Sequence, residues 1–296
     1  MAMLSQLVAE RPVDLTAALA LLAADDGGGP WRPLAGGTDL LVEAQHGKLA
    51  HKRFLDLSGL RGELGGLRWQ DDGSFVIGAL ATYLDVQRDA RCQAELPGVC
   101  AMSRLVGAVQ IQARGTPAGN VENGSPAADV APVLMALDTR VRLQSASGGQ
   151  REVALADYYT GYRATVRRSD ELIVALVVPP QPFGPGAQWT RKVGTRAWQA
   201  ITKVGLAAHI GWQDGRIVQA RLVAISMAAS VCRLPTLEAA LVGDDGLDAA
   251  LWLRLRALQA AALVPLDDVR STAAYRAEVF ARLVRQAVNE TRARAL

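Results

Sequence analysis

Apolar positions along the 296-residue chain fall into runs of two different periods. From Asp14, "DLTAALALLAADDGGG" fills a helix interior with Ala and Leu, and the glycines from Gly27 are expected to end it. "WRPLAGGTDLLVEAQHG" reads as a short strand, a glycine turn and a helix or strand continuation. "RFLDLSGL" from Arg53 and "FVIGALATYLDVQ" from Phe75 carry strand-like runs, the second passing into a helix after Thr82. "AELPGVCAMSRLVGAVQIQARG" predicts a helix after Pro97, and "VLMALDTRVRLQSASGGQREVAL" predicts a helix end followed by strands around a Gly-Gly turn.

Pro and Gly then concentrate in "VVPPQPFGPGAQW", Val177 to Trp189, which makes this stretch the candidate domain boundary. Beyond it, "AITKVGLAAHIGWQDGRIVQARLVAISMAAS" is either a strand hairpin or a helix–strand pair around an Asp-Gly turn. From Thr236 onward the apolar residues recur at helical spacing. The pattern predicts an α+β architecture with an α-rich end.

Composition narrows the classes of function. Half of the residues are apolar and 21% are charged, so a substantial core is expected, and the length favours more than one structural unit. The 32 basic and 29 acidic residues nearly balance, which gives no reason to expect a nucleic-acid or membrane partner. Cys92, Cys100 and Cys232 include no C-x-x-C pair, which argues against a disulfide framework, a structural zinc or an iron–sulfur cluster in this chain. His46, His51 and His209 have no ligand spacing, and no metal site is expected. The start carries Glu10, Arg11 and Asp14 before any long apolar run, so neither a signal peptide nor a spanning helix is expected and the chain reads as cytoplasmic.

Two glycine loops carry the candidate chemistry: "PLAGGTDLLVE" from Pro33, and "RGTPAGNVENGSPAADVAP" from Arg114. Bare backbone of this kind is either a surface turn or a wrap around a ligand whose phosphates meet main-chain N–H groups. Neither loop has the G-x-G-x-x-G spacing of a Rossmann unit, and Lys48 after Gly47 is followed by Leu, so a Walker loop also fails. What remains is two separate turns approaching one extended, doubly phosphorylated ligand. In isolation, Asp129 reads more readily as a helix N-cap, and Lys192 and Arg196 more readily as solvated charges.

With these loops, "IGALATYLDV" from Ile77, "RKVGTRAWQAITKV" from Arg191 and "DDVRSTAAYR" from Asp267 complete a series that resembles the FAD-binding medium subunits of molybdenum hydroxylases, the xanthine and carbon monoxide dehydrogenase group. The resemblance runs through nearly the whole chain, in order. It implies a two-lobed FAD-binding domain over 1–178, with lobes of about 1–56 and 57–178, and a C-terminal sheet-and-helix domain over 187–290.

Carried over by position, the resemblance puts Leu34, Ala35, Gly36, Gly37, Thr38, Asp39 and Leu40 in the first pyrophosphate and ribose turn, with Thr116, Pro117, Ala118, Gly119 and Asn120 in the second. Asp129 would accept from the adenosine end, Val106 and Ile173 would pack against the cofactor, and Lys192 would stand near the flavin as a cation. Ala118 departs from the family, which has glycine there; were the position left-handed, Ala would be strained by ~1 kcal/mol. No catalytic residue is expected in this chain. Hydroxylation would belong to a molybdenum-cofactor large subunit, and an iron–sulfur small subunit would pass electrons to FAD and on to NAD, oxygen or another acceptor, in a heterotrimer. A stand-alone flavoprotein, oxidase or carrier, is the alternative.

Overall fold

The computed structural model describes residues 7–24 and 26–296. The stretch 1–6, part of the expected first domain and of the search for a leader, lies outside the described residues, as does Asp25 in the expected helix end. The first lobe holds β1 (Val8–Glu10), α1 (Leu15–Ala23), β2 (Arg32–Leu34), α2 (Leu40–Gln45), β3 (Arg53–Asp56) and α3 (Arg61–Leu64). Its strands form a parallel sheet in the order β1-β3-β2. Asp14 caps α1 by accepting from Ala17 N at 2.7 Å. The helix stops at Ala23, ahead of the glycines expected to end it, with Ala24 already extended. Beyond the helix end, Arg53 of β3 grips both carboxylate oxygens of Asp26 at 2.6 Å.

The second lobe runs through β4 (Leu67–Trp69), β5 (Phe75–Gly78), α4 (Tyr83–Arg88), α5 (Ala90–Glu95), α6 (Pro97–Leu105), α7 (Val109–Gln112), α8 (Pro117–Asn123), α9 (Ala131–Ala136), β6 (Arg140–Ser145), β7 (Gly149–Ala154), β8 (Tyr159–Gly161), β9 (Ala164–Thr165) and β10 (Glu171–Val178). Five of these strands make an antiparallel sheet, β4-β5-β10-β6-β7, with the fully buried β10 at its centre. Leu172 and Val174 face the core of the first lobe. A register shift between Ile173 and Ala175 then turns Leu176 and Val178 into the core of the second lobe, where Ile173 also packs. The strand-to-helix passage read at Thr82 is a capping box, in which Thr82 and Asp85 each bond the other's backbone.

The last part comprises β11 (Gln188–Val193), β12 (Val204–Gln213), β13 (Arg216–Ile225), β14 (Cys232–Arg233), α10 (Pro235–Leu241), α11 (Ala249–Ala262) and α12 (Ala273–Ala295). The strands form an antiparallel sheet in chain order. The Asp-Gly segment is a hairpin turn with φ +50° at Asp214 and +75° at Gly215, the twist that antiparallel strands require. Leu206, Ala208 and Ile210 pack on the helices, while Ala207 and Val223 pack from the other face onto the second lobe. The fold is thus α+β, as expected. Among the described residues no helix is long and apolar enough to cross a membrane.

Candidate cofactor-binding site

The two glycine loops meet. Gly37 turns the chain after β2 at φ +74°, a conformation that favours glycine, and Leu34 supports the turn from behind, its Cδ1 lying 3.3 Å from where a Gly37 Cβ would stand. Gly36 is bare for a different reason: a Cβ there would lie 2.0 Å from the carbonyl oxygen of Arg114, at the opening of the second loop. Arg114 Nε also donates to Gly36 O at 3.3 Å. Tyr83 N donates to Gly115 O at 3.1 Å, and a Gly115 Cβ would sit 2.8 Å from the Tyr83 ring. The amides of Gly36, Gly37 and Thr38 meet no acceptor among the described residues.

The second loop contains a helix start rather than a bare turn. Thr116 caps α8, accepting from Gly119 N at 2.9 Å, and Pro117 occupies the first helical position, where a missing N–H costs nothing. Ala118 lies inside the helix and is absent from the positive-φ residues, so the expected condition for strain does not arise. Asn120 Oδ1 accepts from Ala131 N at 3.0 Å and Val130 N at 3.3 Å, closing the start of α9. Asp129, the N-cap alternative, therefore does not cap α9.

Between the loops runs one groove. Ala35, Gly36, Gly37, Thr38, Asp39 and Leu40 face Thr116, Gly119 and Asn120 across its polar part. Ala118 and Ile173 join Leu57, Leu80 and Leu172 around an apolar part. Leu34 and Pro117 stand behind the lining. Burial pushes the Asp39 carboxyl above its ordinary pKa, against the opposing charge of Arg163. Arg163 itself pairs with Glu43 of α2, tying the first lobe to the second.

Glu122 was not anticipated, although a carboxylate directly after a glycine loop was visible in "GNVEN". It lines both parts of the groove. Tyr83 and Arg32, also unanticipated, line the polar part.

Asp129 and Lys192 form a second cluster. Lys192 Nζ lies 2.9 Å from Asp129 Oδ1, Thr202 Oγ1 donates to the same oxygen at 3.2 Å, and Lys192 reaches Leu105 O at 3.5 Å beside Val106. Burial raises the Asp129 pKa, and the Lys192 charge with its hydrogen bond only partly offsets the shift. Tyr83 links this cluster to the groove: burial first, then the charges of Asp39 and Asp129, push its phenol well above the ordinary value. From the resemblance, Asp129 belongs to the adenosine end and Lys192 to the flavin. The structure brings the two side chains into contact. Arg196, by contrast, is exposed and bonds its own loop at Trp198 O and Gln199 O.

Free loop amides, bare backbone and an adjoining apolar slot fit the phosphates and flat rings of a dinucleotide. The fold and groove are those of a protein suited to an extended phosphate-bearing ligand outside the Rossmann pattern. Comparison with known proteins gives its kind. The family described as the FAD binding domain in molybdopterin dehydrogenase matches residues 5–181, and the CO dehydrogenase flavoprotein C-terminal domain matches residues 189–291. The carbon monoxide dehydrogenase medium chain of Afipia carboxidovorans is 31% identical over 96% of both chains. The xanthine dehydrogenase FAD-binding subunit of Escherichia coli O157:H7 is 30% identical over 84% of this chain and 82% of its own. Reconstituted CO dehydrogenase from Oligotropha carboxidovorans superposes with a TM-score of 0.89 at 29% identity, over 97% of this chain and 98% of its own. The chain belongs to the FAD-binding medium subunits of the molybdenum hydroxylase family; it is an oxidoreductase component and its cofactor is FAD.

Proposed function

We propose that this chain receives electrons from an iron–sulfur small subunit and delivers them to NAD, oxygen or another acceptor, while a molybdenum-cofactor large subunit carries out the hydroxylation. The assembly is a cytoplasmic heterotrimer. The observation that carries this reading is the contact of Gly36 with Arg114, which joins the two glycine loops into one surface. The relatives' names support the partners, since they are called medium chains and FAD-binding subunits. Bound FAD supplies the capacity to accept electrons singly or in pairs.

The residues proposed to hold FAD are those of the two loops, from Leu34 to Leu40 and from Thr116 to Asn120, with Ile173 in the apolar part. The Asp129–Lys192 pair and Val106 are assigned together to one end, with the lysine biasing the site toward negative charge. The domains extend over 1–178 and 187–290, and the loop between β10 and β11 joins them.

The test is isolation of the chain alone and with its co-purifying partners. Flavin absorption with about one FAD per chain is expected in both preparations. Reduction of that flavin by the hydroxylation substrate is expected only with the partners present. Substrate turnover by the lone chain would overturn the reading.

A further inference from the structure

We propose that Glu122 is a cofactor-binding carboxylate that accepts a hydrogen bond from a sugar or polyol hydroxyl of FAD. This rests on the FAD reading and adds a residue with a defined partner chemistry.

Place is the first argument. Glu122 of α8 lines both the polar part of the groove, where the loop amides stand free, and the apolar part around Leu57, Leu80 and Leu172. A dinucleotide repeats the same order of chemistry in each half, with flat ring, hydroxylated carbon chain or ring, then phosphate. Whatever half lies there, the group at the seam between an apolar slot and a phosphate site bears hydroxyls.

The second argument is the state of the carboxylate. Tyr158 Oη donates to Oε2 at 2.8 Å and Arg167 Nε donates to Oε1 at 2.8 Å, with an Arg32 nitrogen 3.7 Å from Oε1. Burial, then the charge of Glu122, pushes the Tyr158 phenol upward, so tyrosine stays the donor. The two guanidinium groups offset the charge, which lets a carboxylate stand beside a site for phosphates. A carboxylate has about four lone-pair sites, and these two hydrogen bonds leave acceptor capacity toward the groove. The neighbouring side-chain acceptors of the second loop are already engaged, Thr116 by Gly119 N and Asn120 by the start of α9. Glu122 is then the charged acceptor of α8 that meets both parts of the groove.

Glu122→Gln tests the assignment, because its one oxygen stays with Arg167 Nε, which can only donate, and the amide nitrogen that replaces the second oxygen cannot accept from a ligand hydroxyl. Dissociation constants would be measured fluorimetrically on the full chain, stripped of flavin and shown to be folded, with FAD, FAD lacking a ribityl hydroxyl, and FAD lacking the adenosine 2′-hydroxyl. The wild type is expected to bind one deoxygenated form about tenfold more weakly than FAD. The E122Q chain is expected to bind FAD about tenfold more weakly and no longer to distinguish it from that form. Which analogue shows the effect separates ribityl from ribose. Unchanged FAD affinity in E122Q overturns the proposal, as does an equal loss for all three ligands, which marks a purely structural role. Failure of the folded wild type to bind FAD overturns the FAD reading itself.

Discussion

The backbone of Gly36 rests on the backbone of Arg114, with room for no side chain between them: a Cβ on the glycine would come within 2.0 Å of the carbonyl oxygen. Two loops far apart in sequence are thereby held as one surface. Gly36→Ala forces them apart, because the obstructing atom is main chain and cannot rotate away. FAD content of the purified protein is expected to fall about tenfold or more, equivalent to ~1.4 kcal/mol of binding. Gly62→Ala in α3, where a Cβ would meet nothing within 4 Å, serves as the control and keeps its flavin.

Asn120→Ala removes the acceptor shared by the Val130 and Ala131 amides. The expected cost is about 1–2 kcal/mol of stability, the usual range for a lost cap, read as a lower denaturation midpoint of the stripped protein. Asn120→Asp keeps an acceptor at the start of α9 and should recover most of the loss. A stripped Asn120→Ala chain as stable as wild type would show that the two bonds do no capping.

Ala118→Gly restores the family residue at a helical position. Glycine costs roughly 0.5–1 kcal/mol relative to alanine in such a place. Urea unfolding should show that loss, with no gain in FAD affinity. A gain would mean that the bound loop leaves the helical conformation.

His209 is fully buried on β12, on the face that carries Ala207, and neither ring nitrogen has a partner among the described residues. Burial first, and the charge of Arg221 second, lower its pKa to about 4 from the ordinary 6.5. The folded state favours the neutral ring, so this contribution to stability is complete above pH 6.5 and is lost as pH falls through about 4. His209→Leu should flatten the decline in melting temperature between pH 6.5 and 4, and a slope identical to wild type would refute the assignment.

Local signals made much of this fold readable. Thr82 before an apolar helical run, the Gly-Gly and Asp-Gly turns between strands, and the turn at Gly36 and Gly37 each depend on neighbours within a few residues. The end of α1 did not follow the same logic: the helix stops at Ala23, short of the glycines, and Asp26 beyond it is held by an arginine distant in sequence. In the site, the two loops were legible as loops but their contact was not, since it joins Gly36 to Arg114. Asn120 was legible through the resemblance, whereas the bonds that its oxygen accepts from the start of α9 were not. Asp129 and Lys192 were assigned apart. Nothing between residues 129 and 192 announces that burial will bring an acid and a base into contact.

The position of β10 at the centre of the second sheet sets an order on biosynthesis. Its neighbours β5 and β6 are made well before it, yet they do not pair with each other and must wait for it. On the ribosome, then, the second lobe stays unfinished until Val178 has emerged, and the partner of Asp129 arrives later still with β11. The groove and the ion pair beside it are complete only once Val193 of the 296 residues has been made.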